Sequence, residues 1–554
     1  MMTGARALAE MLHGYGVTHV FMVPAILRRT MVELERFGVH RIGTHGEKPA
    51  AYMADGFARM AGRPGVCMAQ AVGALNLAAG LRDAHLANSP VIALTGGLHP
   101  TMAGRGVYQE VDDLPAFENI TKFNASVDRV EQIPDSIRQA FRSAVSGRPG
   151  PAHVRFQGNE GQIDLEESDL DPWVDKGCTS APAVRPLPDP EDVAAALDLL
   201  DRAERPVIVA GGGVRTSRAS GQLVAVAERL SIPVVTSLNG KDAIPGTHPL
   251  AVGVVGRYSR SAANRVVNRA DLVCFVGSST GSMTTHSWQV PPPGVTAIQM
   301  DVDPDMLGRN YPLAVSINAD ARMTLAALLE RAGPREPDRD EWLAEARREV
   351  AGWREQHRGR LESDAVPTRP ERICSELTSL APDDACVVVD TGHAGMWMGG
   401  MYDTRTPAQD YLRSAGHLGW AFPASLGAKC AAPDRPVICF TGDGGFWYHI
   451  AEVETAVRWG INTVTVVNNN SSGNQSTIGY DRAYGGQQTP EGRRLWTFTD
   501  VDFAGLSEGM GAMGIRVTRP GDLRPALERA LEAECPVVVD VVTDIEALAP
   551  LPVV

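Results

Sequence analysis

The chain has 554 residues, of which 44% are apolar, and its formal charge is −14 at pH 7. Acidic and basic residues are dispersed, which argues against a nucleic-acid-binding surface. No stretch approaches the roughly 20 apolar residues of a membrane span. The eight cysteines are scattered without a CxxC pair, which is typical of reduced, buried thiols. We therefore expect a cytoplasmic protein of several domains that binds neither nucleic acid nor a membrane.

The first part of the chain alternates predicted helices and strands. Residues 7–15 carry apolar side chains at helical spacing, and 47–62 repeat that pattern. Short apolar runs typical of buried strands lie at 19–24, 40–45, 65–70 and 90–96. This βαβ rhythm predicts a parallel-sheet domain over residues 1–160. Residues 158–190 are rich in Pro, Asp and Glu, and we predict a linker there.

Two further α/β blocks follow. The first, over 185–333, includes the strand-like run at 205–213, and the second covers 370–545. Between them, 334–369 form a charged, partly helical connector whose charges we expect on a solvated face. The strand–helix rhythm of the last block resembles that of the first. The predicted fold class is therefore α/β, with three doubly wound parallel-sheet domains.

One βαβ unit of the last block ends both of its strands in polar residues. The sequence from Gly442 to Asn470 starts with Gly-Asp-Gly after one apolar run and closes with Asn-Asn-Asn after the next. A right-handed βαβ unit places both strand ends at the same edge of the sheet, so we expect Asp443 and Asn470 to be neighbours. Carboxylate, amide and main-chain oxygens suit Mg²⁺ or Ca²⁺ rather than zinc.

The glycines of this motif add a second expectation. Gly442, Gly444 and Gly445 let the main chain approach a ligand closely, and the helix that follows favours an anion at its start. Protein oxygens alone would leave about three positions of a magnesium octahedron open. The motif therefore predicts a metal-bridged diphosphate.

With these residues the sequence resembles the thiamine-diphosphate enzyme superfamily. Its nearest resemblance is to the acetolactate synthase-like group, which includes acetohydroxyacid synthase, oxalyl-CoA decarboxylase and benzoylformate decarboxylase. The resemblance implies that Asp443, Asn470 and the main-chain carbonyl of Ser472 bind Mg²⁺. It also implies that the first, middle and last domains are the pyrimidine-binding, middle and diphosphate-binding domains.

A second motif resembles the segment that carries the family's catalytic glutamate. In "GTHGEKPAAYMADGFAR", Glu47 takes the place of the carboxylate that activates the aminopyrimidine of thiamine diphosphate. The chain has Gly-Glu-Lys where the family has His-Glu-Gln, so His45 sits one residue early. Considered alone, a Glu at the start of a helix is usually a residue that stabilises the helix dipole, but together with the matching last domain we expect Glu47 to be functional.

The resemblance also implies the remaining parts of the cofactor site. Gly392, His393 and Ala394 would contact the diphosphate side. Gly416 would offer its carbonyl to the pyrimidine, and Leu418 would hold the cofactor bent. His417 is a candidate acid–base group, although a lone histidine is more often structural. Gln109, in a segment where Tyr108 replaces the usual Phe, is a candidate for the substrate region.

Several departures limit the expected activity. Met283 occupies the place of the arginine that binds the second 2-oxo acid in acetohydroxyacid synthase. The segment "AVGALN" replaces a Gly-Pro-Gly segment of the family. The tryptophan that the family usually carries after the position of Asn470 is absent. Thr216 interrupts a glycine fingerprint, so FAD is possible but not expected. Trp447, Tyr448 and Trp459 are either core residues or part of a pocket lining, and we favour the core.

The sequence therefore predicts a thiamine-diphosphate- and Mg²⁺-dependent decarboxylase or carboligase. Its small-molecule substrate would be a 2-oxo acid or a related 1,2-dicarbonyl, and the enzyme would not be a true acetohydroxyacid synthase. A C–C hydrolase of a dione, or an acyl-CoA lyase, is the alternative on the same scaffold. The lyase would need a basic pocket, for which the candidates are Arg215, Arg218, Arg257 and Arg260. A non-catalytic nucleotide-binding regulatory protein is a further alternative, which the retained Glu47 and Asp443 disfavour.

The resemblance also bears on assembly. The cofactor is expected between the first domain of one subunit and the last domain of another. This arrangement implies at least a homodimer, and a tetramer is possible.

Overall fold

The computed structural model of the chain describes residues 1–333 and 338–550. Three six-stranded sheets account for most strands, and every strand pairing within them is parallel. Helices cover both faces of such sheets, and strands such as 386–389 are accordingly buried along their whole length. The predicted fold class, α/β with three doubly wound parallel sheets, is confirmed.

The strands form four sheets: a two-stranded one made of the first and eighth strands, and three of six strands each. A short strand, β1 (Met2–Thr3), comes first. The first sheet contains β2 (His19–Met22), β3 (His40–Gly43), β4 (Gly65–Ala69), β5 (Val91–Gly97), β6 (Phe123–Val127) and β7 (Ala152–Gln157), and β8 (Glu167–Ser168) follows it. The middle sheet contains β9 (Pro206–Ala210), β10 (Val234–Thr236), β11 (Ala251–Val254), β12 (Leu272–Val276), β13 (Thr296–Asp301) and β14 (Val315–Asn318). The last sheet contains β15 (Cys386–Val389), β16 (Asp410–Arg413), β17 (Val437–Gly442), β18 (Val464–Asn469), β19 (Met513–Val517) and β20 (Val537–Val542).

The helices lie mainly between these strands. The first domain has α1 (Gly4–Gly14), α2 (Arg28–Arg36), α3 (Glu47–Ala61), α4 (Ala74–Leu86) and α5 (Ile133–Val145). The middle domain has α6 (Pro190–Arg202), α7 (Gly212–Thr216), α8 (Ser220–Arg229), α9 (Ser261–Arg269) and α10 (Ala321–Arg331), and α11 (Asp340–Leu361) follows. The last domain has α12 (Pro370–Leu380), α13 (His393–Met401), α14 (Ala421–Ala431), α15 (Asp443–Trp447), α16 (Glu452–Trp459), α17 (Thr477–Ala483), α18 (Pro490–Arg493), α19 (Phe503–Gly509) and α20 (Leu523–Leu531). None of the helices in the described ranges is long and apolar enough to cross a membrane.

The first and last sheets have the same topology. Their strand orders are β3-β2-β4-β5-β7-β6 and β16-β15-β17-β18-β20-β19, which become identical when each strand is counted from the start of its own domain. The middle sheet differs, with the order β11-β10-β9-β12-β13-β14 typical of dinucleotide-binding folds. The similar rhythm of the two outer sequence blocks therefore reflects a shared strand order.

Topologically equivalent helices of the two outer domains, α3 and α14, pack directly against each other. A Cβ atom added to Gly56 would overlap the carbonyl oxygen of Ala424, and one added to Gly427 would overlap that of Met53. The contact is therefore reciprocal: Gly56 lies against Ala424, three residues before Gly427, and Gly427 lies against Met53, three residues before Gly56. The absent side chains allow the two backbones to touch, which fixes the outer domains relative to each other.

Two connecting segments are more ordered than their composition suggests. In the predicted linker 158–190, β8 pairs antiparallel with β1, and buried Asp164 accepts hydrogen bonds from the amide and hydroxyl of Thr30. In the charged connector 334–369, α11 buries the side chains of Trp342 and Trp353. Residues 334–337 of the connector lie outside the described part of the chain. Scattered apolar anchors, hidden among charged residues, explain why sequence periodicity underestimates both segments.

Candidate active site

The ends of β17 and β18 bring the predicted metal-binding residues together. Gly442 pairs with Asn468 in the parallel register, so Asp443 and Asn470 leave the sheet at the same edge. The amide of Ser472 donates to Asp443 Oδ2 at 2.9 Å, and the Ser472 hydroxyl donates to Asn470 Oδ1 at 2.9 Å. The amide of Gly444 donates to Asp443 Oδ1 at 2.7 Å. One carboxylate, one amide oxygen and one main-chain segment therefore meet at this edge.

Burial controls the electrostatics of this edge. Asp443 is only 3% exposed, and burial raises its pKa to about 7 although the amides of Gly444 and Ser472 oppose the shift. A cation bound beside Asp443 would stabilise the charged carboxylate. Within residues 1–333 and 338–550, no group of three or more His, Cys, Asp or Glu side chains is arranged so that it could hold a metal ion by itself. A donor set of one carboxylate and neutral oxygens suits a hard cation that is completed by a ligand's own oxygens.

Two buried polar atoms border the same edge without a protein partner. They are Nδ1 of His393, at the start of α13, and Oδ1 of Asn468, at the end of β18; neither has a hydrogen-bond partner among the described residues. Gly392, with φ +68°, turns the chain into α13, and Ala394 is buried behind it. Burial lowers the pKa of His393 to about 4, so its ring is neutral at neutral pH. Since buried polar atoms are normally paired, this edge fits a polar ligand such as a diphosphate cofactor.

The loop after β16 carries the predicted pyrimidine-side residues and is held by a buried carboxylate of the first domain. Asp83 accepts from the amides of Ala415 and His417 and from the Ser414 hydroxyl, at 2.9–3.1 Å. Gly416, with φ +150°, is exposed in this loop, and Leu418 is 46% exposed. A Leu418 methyl lies 3.9 Å from where a Cβ on Gly392 would stand. The structure thus brings Leu418 and Gly392 together.

His417 is half-buried and contacts the first domain. Its Nδ1 lies 2.8 Å from the hydroxyl of Tyr52 on α3. Burial lowers the pKa of His417, which favours the neutral ring at neutral pH. A neutral imidazole held by a tyrosine hydroxyl is able to relay a proton, which keeps the acid–base hypothesis for His417 open.

Glu47 opens α3 and lies in a separate cavity. Asn76 Nδ2 donates to Glu47 Oε2 at 3.2 Å, and a Cβ on Gly73 would overlap the Glu47 carboxylate. The cavity has a volume of about 330 Å³ and is also lined by Lys48 and Tyr448. Among the described residues, no hydrogen bond or ion pair joins Glu47 to Asp443, Asn470 or Gly416.

Gln109 approaches the Glu47 region through the segment that follows β4. It has φ +63°, and its Oε1 accepts a hydrogen bond from Gln70 Nε2 at 3.2 Å. Gln70 directly follows β4, and the same segment continues to Gly73 and Asn76, which contact Glu47. Gln109 and Glu47 are therefore connected through one short segment of the first domain.

The prediction that the aromatic residues near the motif are core residues is wrong. Trp447, Tyr448 and Trp459 are 41%, 54% and 40% exposed. Trp447 and Tyr448 line the cavity that holds Glu47. Their helical spacing resembles that of core residues, but α15 ends at Trp447, and the chain turns before α16 begins.

Sequence reasoning missed two buried carboxylates that organise the site. Asp83 holds the loop after β16, and Asp390, at the end of β15, accepts from the Gly419 amide and the Thr441 hydroxyl, each at 3.1 Å. Burial raises the pKa of Asp390 to about 6. The strand-end position of Asp390 was a usable signal. Asp83 had none, because it lies inside a helix and acts on another domain.

The glycine-rich segment of the middle domain has a packing explanation. Cβ atoms on Gly211 or Gly213 would collide with the backbone of Gly277 and Ser278. The four arginines considered for a coenzyme A pocket do not all converge, although Arg215 and Arg218 line the same cavity. Arg215 pairs with Asp242 and Asp410, and Arg260 pairs with Asp403. Arg218 lines a different cavity from Arg260, and Arg257 lies on the surface.

Comparison with known sequence families matches three parts of the chain. Residues 2–116 match the thiamine pyrophosphate enzyme N-terminal TPP binding domain, 193–328 match the central domain, and 390–541 match the C-terminal TPP binding domain. Together these matches cover more than half of the chain. The chain belongs to the thiamine pyrophosphate enzyme family.

Curated relatives match over nearly the full length. A probable acetolactate synthase large subunit of Methanocaldococcus jannaschii is 33% identical over 100% of this chain and 94% of its own length. An acetolactate synthase large subunit of Corynebacterium glutamicum is 32% identical over 99% of this chain and 87% of its own. A putative thiamine pyrophosphate-containing protein of Bacillus subtilis, YdaP, is 30% identical over 99% and 93%.

These matches confirm the resemblance to thiamine-diphosphate enzymes of the acetolactate synthase-like group. They also confirm the prediction of a thiamine-diphosphate-dependent enzyme with decarboxylase- or carboligase-type chemistry. The two TPP binding domains contain, respectively, the segment that carries Glu47 and the one that carries Asp443.

Proposed function

We propose that this chain is a Mg²⁺-dependent lyase or carboligase that uses thiamine diphosphate to act on a 2-oxo acid or a related 1,2-dicarbonyl. We further propose that it is not a true acetohydroxyacid synthase. The observation that carries the first proposal is the meeting of Asp443, Asn470 and Ser472 where β17 and β18 end. Asp443, Asn470 and the carbonyl of Ser472 would hold the metal ion.

Thiamine diphosphate, when bound, supplies a nucleophilic carbon and an electron sink for bonds next to a carbonyl. Glu47 would share a proton with the pyrimidine ring, and Asn76 and the side-chain-free Gly73 fix the orientation of its carboxylate. Gly416 would accept from the pyrimidine amine, while Leu418 would fill the space under the bent cofactor. Gly416 and Leu418 would thus position the cofactor, while the proton shared by Glu47 would activate it.

We propose that two groups act on the substrate. His417, kept neutral by burial and hydrogen-bonded to Tyr52, would exchange protons with the reacting oxygen. Gln109, in the segment 104–113 next to Gln70, would reach the substrate side of the site. Exposed Leu418 and Tyr448 would exclude water once a partner and the substrate cover them.

The substrate proposal rests on what differs from acetohydroxyacid synthase. Met283 takes the place of the arginine that binds the second 2-oxo acid there, and "SSGNQSTIGYDR" replaces the segment that carries the Trp. The acyl-CoA alternative is less favoured, because Arg215 and Arg260 are committed to carboxylates of the protein itself.

We further propose that the active unit is a homodimer or a larger assembly. Val72 and Leu75 are exposed on either side of Gly73, and Leu418 is exposed in the loop after β16. Apolar groups beside both halves of the cofactor site favour burial by a second copy of the chain. Such an arrangement would bring Glu47 of one copy to Asp443 of the other.

A substrate screen tests this function. Purified protein loaded with thiamine diphosphate and Mg²⁺ is incubated with a series of 2-oxo acids, neutral 1,2-diones and acyl-CoA esters, and products are identified by NMR. We expect CO₂ release or ligation from at least one 2-oxo acid. Turnover confined to diones or CoA esters would contradict the proposed substrate class. Efficient formation of acetohydroxy acids from two 2-oxo acids would contradict the exclusion of acetohydroxyacid synthase.

A further inference from the structure

Arg413 is a buried cation whose guanidinium has no protein partner. It ends β16 and is 8% exposed. Its Nε is buried without a hydrogen-bond partner, and across the described residues its guanidinium forms no ion pair or hydrogen bond. Buried charges in proteins are normally paired, and arginine stays charged even when it is buried. An unpaired, buried guanidinium therefore indicates a missing anion.

The carboxylates near Arg413 are already engaged. Burial lowers the pKa of Arg413, and Tyr411 and Asp83 oppose this shift only in part. Asp83 binds Arg59 as well as the loop after β16. Asp410, three residues earlier, binds Arg215 and Arg435. The charge of Arg413 is therefore left for a ligand.

Arg413 lines a cavity of about 560 Å³ where the three domains meet. Other lining residues include Met60 from the first domain, Asn239 and Met283 from the middle domain, and Ala415 from the last. Tyr411, on the same face of β16, has Lys241 of the middle domain 5.7 Å from its ring centroid. One face of β16 is thus directed at the middle domain.

Ala415, which lines this cavity together with Arg413, immediately precedes Gly416 of the proposed cofactor site. Arg215 and Arg218 line the same cavity, and Arg215 is paired with Asp242 and Asp410. Met283 stands where the resembled enzymes carry an arginine for the second 2-oxo acid, and Arg413 enters the same cavity from a different element. Only Ser414 and Ala415 separate Arg413 from Gly416, which we placed against the pyrimidine. An anion held by Arg413 would therefore lie beside the reacting part of the cofactor.

We propose that Arg413 binds the carboxylate of the substrate acid and so makes this chain specific for a 2-oxo acid over a neutral dione. The inference rests on the proposed function and assigns its substrate class to one residue. A planar guanidinium matches a carboxylate with two parallel hydrogen bonds, which fixes both its position and its orientation. A phosphate would satisfy the same chemistry, so the test distinguishes the two anions.

The experiment is an NMR titration of full-length protein with oxamate, an unreactive 2-oxo acid analogue, with its uncharged counterpart oxamide, and with ADP. Each titration is made with and without bound thiamine diphosphate and Mg²⁺. The variants are Arg413→Met, Arg413→Lys and, as a control, Arg519→Met, which removes an exposed arginine of the same domain. We expect Arg413→Met to raise the dissociation constant of oxamate by about 10- to 100-fold, as for a lost charge-assisted hydrogen bond.

Further results separate binding from folding. Arg413→Met should melt at the same or a higher temperature than the parent protein without oxamate, because it removes an unpaired buried charge. Arg413→Lys should bind oxamate with intermediate affinity, and Arg519→Met should bind it normally.

Four results would overturn the proposal: no binding of oxamate to the parent protein, equal affinity in Arg413→Met, equal affinity for oxamide, or a requirement for Arg413 in ADP binding alone. Because the titrations are also made without cofactor, each of these results can be obtained even if thiamine diphosphate does not bind. Failure of thiamine diphosphate to bind would contradict the proposed function, not the role of Arg413.

Discussion

At the scale of single residues, the immediate surroundings of Glu47 bear on its role. Its carboxylate is oriented by Asn76 and lies against Gly73, where any side chain would displace it. A group that only stabilised the start of α3 would not require a neighbour without a side chain. This local arrangement supports a role for the Glu47 carboxylate itself.

Glu47→Gln tests that role independently of the substrate. The amide keeps the size of the side chain but cannot exchange the proton, so hydrogen exchange at C2 of bound thiamine diphosphate should slow by about 10²–10⁴-fold. Cofactor affinity should change little, because the metal and diphosphate bind at the other end. NMR of quenched samples measures the exchange, and Glu532→Gln, an exposed position in the last domain, is the control. Unchanged exchange in Glu47→Gln would identify Glu47 as a helix-start residue only.

The sequence was informative for residues whose position follows from chain topology. Asp443 and Asn470 end adjacent parallel strands, so their proximity was predictable from the βαβ rule alone. Arg413 and Asp83 were not predictable in this way. Each acquires its role by meeting a different domain, and a helical Asp or a strand-end Arg carries no local pattern that shows it.

At the scale of secondary-structure elements, the contact between α3 and α14 depends on two glycines. Gly56 and Gly427 each lie against the carbonyl of a residue on the other helix. The "MADGFAR" motif that resembles the family also provides Asp55 and Arg59, which bind Trp420 and Asp83 around the same contact. The motif therefore has a structural role in holding the outer domains together beside any catalytic one.

Gly56→Ala should destabilise the protein by about 1–3 kcal/mol, because the new methyl group forces two backbones apart. Gly352→Ala is the matched control: it lies within α11 with open space around its Cβ position, so it should stabilise by about 0.5–1 kcal/mol. Differential scanning calorimetry compares the two. Equal melting temperatures for Gly56→Ala and the parent protein would show that the helices are not in the tight contact described.

Elements were predicted best where both faces of a strand are buried. The predicted strand at 65–70 corresponds to β4, and that at 90–96 to β5, each within two residues at either end. The segments 158–190 and 334–369 were underestimated, because their few apolar anchors lack a regular spacing. Tertiary packing of residues such as Trp353 supplies the order there.

At the scale of the whole molecule, the shared strand order of the outer domains suits a cofactor held at both ends. The pyrimidine end would be held by one sheet edge and the diphosphate end by the equivalent edge of the other domain. Among the described residues, no hydrogen bond or ion pair joins Glu47 to Asp443. The exposed apolar side chains of Val72, Leu75 and Leu418, beside the two parts of the proposed site, are the physical reason to expect a dimer.

Dilution tests this expectation. If Glu47 of one copy acts on a cofactor held by Asp443 of another, C2 hydrogen exchange per chain should fall as the dimer dissociates. Analytical ultracentrifugation supplies the fraction of dimer at each concentration, and bovine serum albumin added to the dilute samples controls for surface loss. A monomer with the full exchange rate would contradict the shared site.

The central claim is that Asp443 and Asn470 hold a metal ion that in turn holds thiamine diphosphate. Isothermal titration calorimetry of Asp443→Ala tests it most directly, with Asp522→Ala, an exposed position of the same domain, as the control. We expect the parent protein and Asp522→Ala to bind thiamine diphosphate only when Mg²⁺ is present. Asp443→Ala should keep its circular dichroism spectrum but show no Mg²⁺-dependent binding. Unchanged Mg²⁺-dependent affinity in Asp443→Ala would contradict the account.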